Sequence, residues 1–72
     1  MIKVGIIGFG YMGHYHWNKV KQTGKAEVTA ICDIDPDRLE EGRKNGFHVY
    51  TPRELNSFLK EETDLVVIAT PN

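Results

Sequence analysis

A single cysteine, Cys32, is all that the sequence offers toward a disulfide, so no internal bridge can form. A lone thiol suits a reducing compartment, and a cytoplasmic protein is the expectation. Neither sign of charge dominates: nine Lys and Arg against ten Asp and Glu leave −1. There is thus no electrostatic footprint for nucleic acid or for an anionic membrane surface, and neither partner is expected. Long hydrophobic runs are also lacking. The longest, such as Leu65–Ala69, fall far short of the ~20 residues that span a bilayer. The chain begins with one lysine and a strand pattern rather than with the regions of a signal peptide. No repeat, low-complexity tract or Pro/Gly/Ser linker divides the 72 residues, which indicates one domain or part of one. Apolar residues make up 40%, enough for a core, although a chain this short buries only about 60% of its unfolded surface.

The stretch from Met1 to Asp33 carries the most information. An apolar, β-branched run, Ile2–Ile7, leads into Gly8-Phe-Gly10-Tyr-Met-Gly13 and then into a helical pattern. A second apolar run ends on Asp33, 20 residues after Gly13. Strand, Gly-x-Gly-x-x-Gly, helix, strand and acid at that distance together form a dinucleotide-binding fingerprint. Each residue type has a physical role. Gly8 allows a sharp turn, Gly10 lets the backbone approach a pyrophosphate, and Gly13 lets helix pack on strand. The amides from Phe9 through Tyr11 to Met12 stand at a helix start, where N–H groups lack partners and the dipole favours an anion. Asp33, followed by Ile34, is placed to accept hydrogen bonds from the adenosine ribose. Its charge opposes a 2′-phosphate, which favours NAD over NADP. Arg38 is ambiguous: it lies near the position of a 2′-phosphate, or it is a solvated arginine.

The rest of the chain alternates helix and strand. The first helix is predicted over Tyr11 to Gln22 with Gly24 as its stop, and Gly13, His16, Trp17 and Val20 share its inward face. The second strand runs from Glu27 to Asp33. Asp35 and Pro36 predict an N-cap and first turn for a helix reaching Lys44, with Asn45-Gly46 after it. Phe47–Tyr50 reads as a third strand. Thr51-Pro52-Arg53-Glu54 is a capping box for a third helix that buries Leu55, Phe58 and Leu59 and ends near Glu61 or Glu62. Leu65–Ala69 is a fourth strand. The alternation implies an α/β, doubly wound parallel sheet in the order 3-2-1-4, with ligands at the carboxyl end where the order reverses. The fourth strand is apolar throughout and is expected to be central, yet it stands at the edge of a four-stranded sheet. The expectation is the N-terminal piece of a longer enzyme whose further strands cover it, and the alternative is pairing of this edge with another copy in a homo-oligomer. His14, His16 and His48 do not cluster as metal ligands. Cys32 reads as a buried small hydrophobe, and Glu40, Glu41, Glu61 and Glu62 as solvated.

Gly8-x-Gly10-x-x-Gly13-x-x-His16, then Cys32-Asp33-Ile34-Asp35-Pro36, then Asp64-Leu-Val-Val-Ile-Ala-Thr70-Pro71-Asn72 resemble the N-terminal domain of the glucose–fructose oxidoreductase / inositol 2-dehydrogenase (Gfo/Idh/MocA) family. The resemblance covers essentially the whole chain. It implies a Rossmann domain that binds NAD or NADP, hydride transfer with a sugar, polyol or related compound, and a separate substrate domain absent from residues 1–72. It implies that Thr70, Pro71 and Asn72 line the cofactor groove near the nicotinamide. The family's catalytic Glu-Lys-Pro lysine has no counterpart here, so no catalytic residue is assigned and the isolated chain is expected to be inactive. Two other functions fit the same residues: a non-catalytic NAD(H)-sensing module and an FAD-binding half-domain.

Overall fold

The computed structural model describes residues 1–70. Eight segments alternate along it: β1 (Ile2–Ile7), α1 (Tyr11–Thr23), β2 (Ala26–Cys32), α2 (Pro36–Lys44), β3 (His48–Tyr50), a 3-10 turn (Pro52–Glu54), α3 (Leu55–Leu59) and β4 (Leu65–Ile68). The four strands form one parallel sheet in the order β3-β2-β1-β4, as the alternation predicts.

Local chemistry sets the boundaries. Gly24 ends α1 in the left-handed region at φ 67°, which a residue without Cβ adopts freely. The Asp35 carboxylate accepts the Asp37 N–H at 2.9 Å to open α2, with Pro36 in its first turn. Val4, Ile6, Phe9, Val28, Ile31, Leu39 and Phe47 form the main core, with Trp17 and Val20 of α1 packed against it. On the other face Phe58 of α3 is buried with Ala30 and Cys32. None of the helices among the described residues is long and apolar enough to cross a membrane.

The third helix departs from expectation. It stops at Leu59 because the Glu61 N–H closes a tighter turn onto the Phe58 carbonyl. The Glu61 carboxylate meanwhile accepts hydrogen bonds from the Tyr50 hydroxyl and from His48 Nδ1 across the chain. Glu61 is therefore not a solvated residue. Only Phe58 of the three expected residues is fully buried, whereas Leu59 is 55% exposed. β4 occupies the sheet edge, and Leu65, Val66 and Ile68 are exposed, Ile68 to 73%.

Candidate functional site

The carboxyl ends of all four strands are tied together by main-chain bonds that continue the sheet. Gly8 N–H donates to the Cys32 carbonyl at 2.8 Å, Ala69 N–H to Ile7 at 2.8 Å, and Asp33 N–H to Tyr50 at 3.0 Å. The chain leaves β1 through Gly8 at φ 92°, with Thr70 directly alongside. At Gly13 a Cβ would stand 2.2 Å from the Gly8 carbonyl oxygen, so α1 rests on the turn at a distance that only glycine permits. Gly10 precedes α1 with no side-chain cap, and no acid lies in the first turn. The first amides of α1 are therefore left for an external acceptor, and the helix field there favours negative charge.

This turn forms one wall of a crevice of about 650 Å³. Gly8, Gly10, Tyr11, Met12, Asp33, Ile34, Arg38 and Thr70 all line it, so three separated segments meet there. Two of the residues singled out from the sequence do not. Phe9 is fully buried in the core, and its amide is taken by the Asp33 carboxylate at 2.6 Å, so it is not free to meet a phosphate. Gly13 lies beneath the turn rather than on the crevice wall. Pro71 and Asn72 lie outside the described residues.

Asp33 is 7% exposed and holds two backbone segments at once. One carboxylate oxygen accepts Phe9 N–H, and the other accepts Asp35 N–H at 2.9 Å. The acid thus fixes the glycine turn against the start of α2, and each oxygen keeps a lone pair for a further donor. Arg38 reaches back over the turn. Its Nη1 is 3.7 Å from Asp33 and its Nε 3.8 Å from Asp35, and its guanidinium lies where a Gly10 Cβ would come within 3.2 Å of it. The charged residues that line the crevice are thus one carboxylate, Asp33, and one guanidinium, Arg38.

Several lining residues escape the sequence reading. Leu55, whose spacing predicts a core position, lines the crevice together with Pro52 and Ala69. The available signal is position: an apolar residue in the first helical turn after β3 stands at the same end of the sheet as the glycine turn. Cys32 also lines the wall. Burial pushes its thiol up, with the Asp33 and Glu54 charges adding to the effect, so it remains a neutral, weakly nucleophilic group. His14, rather than His16, is the histidine that meets the turn. Its ring stacks on Phe9 with centroids 4.1 Å apart, Nδ1 meets the Gly10 carbonyl at 2.8 Å, and Nε2 meets the Glu41 carboxylate at 2.8 Å. Glu41 is thus paired rather than simply solvated.

A family model described as an oxidoreductase family with an NAD-binding Rossmann fold (GFO_IDH_MocA) matches residues 2–72. An inositol 2-dehydrogenase/D-chiro-inositol 3-dehydrogenase from Lactiplantibacillus plantarum is 31% identical over 97% of this chain and 21% of its own length. A glycosyl hydrolase family 109 protein from Shewanella amazonensis is 32% identical, over 97% of this chain and 18% of its own. The crystal structure of the WlbA dehydrogenase from Bordetella pertussis, in complex with NADH and UDP-GlcNAcA, superposes with a TM-score of 0.82 at 30% identity, covering 97% of this chain and 22% of that one. The chain spans about a fifth of the length of the curated relatives it matches.

Proposed function

Because the chain belongs to the Gfo/Idh/MocA oxidoreductase family, with its NAD-binding Rossmann fold, we propose that residues 1–72 are the N-terminal part of a dinucleotide-binding domain that holds NAD in this crevice. The observation that carries the reading is that the uncapped first turn of α1 and the Asp33 carboxylate open onto one cavity. Tyr11 and Met12 amides would meet the diphosphate, Asp33 the adenosine ribose, and Ile34 and Arg38 the adenine side. Thr70, with Pro71 and Asn72, would follow toward the nicotinamide. The Asp33 carboxylate, placed to accept ribose hydroxyls and opposed to a 2′-phosphate, supports NAD over NADP.

The bound nicotinamide would supply hydride chemistry. In this reading the substrate is a sugar, polyol or related hydroxy compound, held together with the acid–base groups by sequence that the longer relatives have and residues 1–72 do not contain. The chain's own contribution is to bind and orient the cofactor. The similarity to a glycosyl hydrolase supports a second reading, in which the same domain holds NAD for a reaction whose outcome is hydrolysis. Two further expectations belong with the proposal. The exposed apolar edge of β4 supports assembly, and a monomer in sedimentation at high micromolar concentration would count against it. The unpaired Cys32 supports a cytoplasmic location.

Calorimetry with NAD tests the central reading. Saturable binding that Asp33→Ala abolishes is the expected result, and no heat of binding at any concentration sinks it. If NADP binds more tightly than NAD, the charge argument at Asp33 is wrong.

A further inference from the structure

His14 is placed so that both of its ring nitrogens face acceptors. Nδ1 lies 2.8 Å from the Gly10 carbonyl, which can only accept, and Nε2 lies 2.8 and 2.9 Å from the two Glu41 carboxylate oxygens. A neutral imidazole has one N–H and would set a lone pair against one of these groups. The doubly protonated ring satisfies both. The Gly10 carbonyl also accepts the His14 backbone N–H at 2.9 Å, so two donors on one residue fix the peptide from which α1 starts. Through Glu41 the same ring fastens α2, and one turn earlier on that helix Arg38 lies on Gly10 and beside Asp33.

We propose that His14 is a positioning residue, a cationic pin between α2 and the glycine turn, so that dinucleotide affinity follows its protonation. This rests on the crevice being the NAD site. The groups that face the ring from α2 are Glu41 and Arg38, of opposite sign. The turn and α1 present Phe9 and Trp17 at 4.1 and 6.0 Å between centroids, neither of them ionisable in water near neutrality. Burial lowers the affinity of His14 for its second proton. The Glu41 hydrogen bond, the Gly10 carbonyl and the Glu41 charge outweigh it, and Arg38 opposes them, so the net movement is upward from 6.5. The pin is therefore complete below pH 6.5 and is lost as pH rises through the higher folded-state value.

Three measurements on the chain test this. Nitrogen-15 NMR of the imidazole should show both ring nitrogens protonated in mild acid and a titration midpoint above that of a free histidine. NAD affinity by calorimetry should weaken about fivefold through the same midpoint, the scale of one lost hydrogen-bonded contact. In His14→Gln the affinity should stay at the weaker level with no step in pH, and in Glu41→Gln the step should move to lower pH. A flat wild-type profile across the NMR titration overturns the role of His14, as does a step that survives in His14→Gln. If His14→Gln does not fold, the Glu41→Gln profile decides, and an unmoved step overturns the proposal. Absence of NAD binding by the wild type at every pH overturns the reading of the crevice instead, and the NMR midpoint still reports whether the pin exists.

Discussion

Replacing Gly13 by alanine would put a methyl carbon 2.2 Å from the Gly8 carbonyl oxygen, almost an ångström inside the 3.0 Å that Cβ atoms ordinarily respect. The obstacle is backbone at the end of a central strand, so no side chain can swing aside. Either α1 rises from the sheet or the turn deforms. Overpacking of this kind costs ~1–3 kcal/mol, and a contact with main chain belongs at the upper end. Alanine returns about 1 kcal/mol in helix propensity, which leaves a net loss of roughly 2 kcal/mol. For a domain of this size that lowers the melting temperature by about 8–16 °C. The same displacement moves the first amides of α1, so NAD should stop stabilising the protein. In the wild type, NAD at a hundred times its Kd should add ~2.7 kcal/mol. Gly24→Ala is the control. Gly24 has φ 67°, and a methyl group there would meet nothing within 4 Å, so only the left-handed backbone is penalised, by about 1 kcal/mol, and the response to NAD should persist. Thermal melts with and without NAD decide the matter. A Gly13→Ala protein that melts at or above the wild-type temperature and keeps its full NAD shift would refute the close-approach argument.

Other substitutions probe separate parts of the molecule. Asp33→Ala leaves two backbone amides without their acceptor and should destabilise the apo protein by ~2–3 kcal/mol in denaturant titration, before any ligand is added. Glu61→Gln removes the negative charge from the acceptor that Tyr50 and His48 share. Burial raises the Glu61 carboxyl, but the Tyr50 and His48 hydrogen bonds bring it below 4.5 on balance. Its stabilisation is therefore present above pH 4.5 and lost as pH falls through the lower folded value. The wild type should exceed the variant by about 1 kcal/mol at neutral pH, and the gap should close in acid melts. Tyr50 is pushed up to about 12, first by its hydrogen bond to Glu61 and then by burial and the acidic neighbours. Its contribution holds below pH 10 and falls away as pH rises toward 12, and Tyr50→Phe should flatten that part of the stability profile. Ile68→Lys, on the exposed edge of β4, should change stability by no more than about 0.5 kcal/mol, while reducing self-association in sedimentation if that edge is an assembly surface.

The elements whose signals are local were legible in the sequence. Gly24, Asp35-Pro36 and the apolar run Ile2–Ile7 each act within a few residues, and they set α1, α2 and β1 where periodicity and capping place them. The order of the sheet followed from the right-handed crossover rule applied to four short strands. Features that depend on partners distant in sequence were not legible. The Glu61 carboxylate just past α3 is held by Tyr50 and His48, which no window around residues 55–62 contains. Leu55 has the spacing of a core residue, but the short helix turns it toward the crevice. Three glycines and an acid at the right separation pointed to the end of the sheet where the crevice lies, yet not to how its atoms are used. Nothing in the spacing says that Asp33 would take the Phe9 amide, or that His14 rather than His16 would meet the turn.

The double use of Asp33 bears on how this protein can evolve. If Asp33 holds the ribose as proposed, a change of coenzyme preference would have to begin at that acid. Here that acid is also a bracket for the main chain, so its loss loosens the scaffold along with the specificity. A lineage drifting toward a phosphorylated coenzyme would first need a replacement anchor for Phe9 and Asp35, or spare stability elsewhere, before Asp33 became free to change.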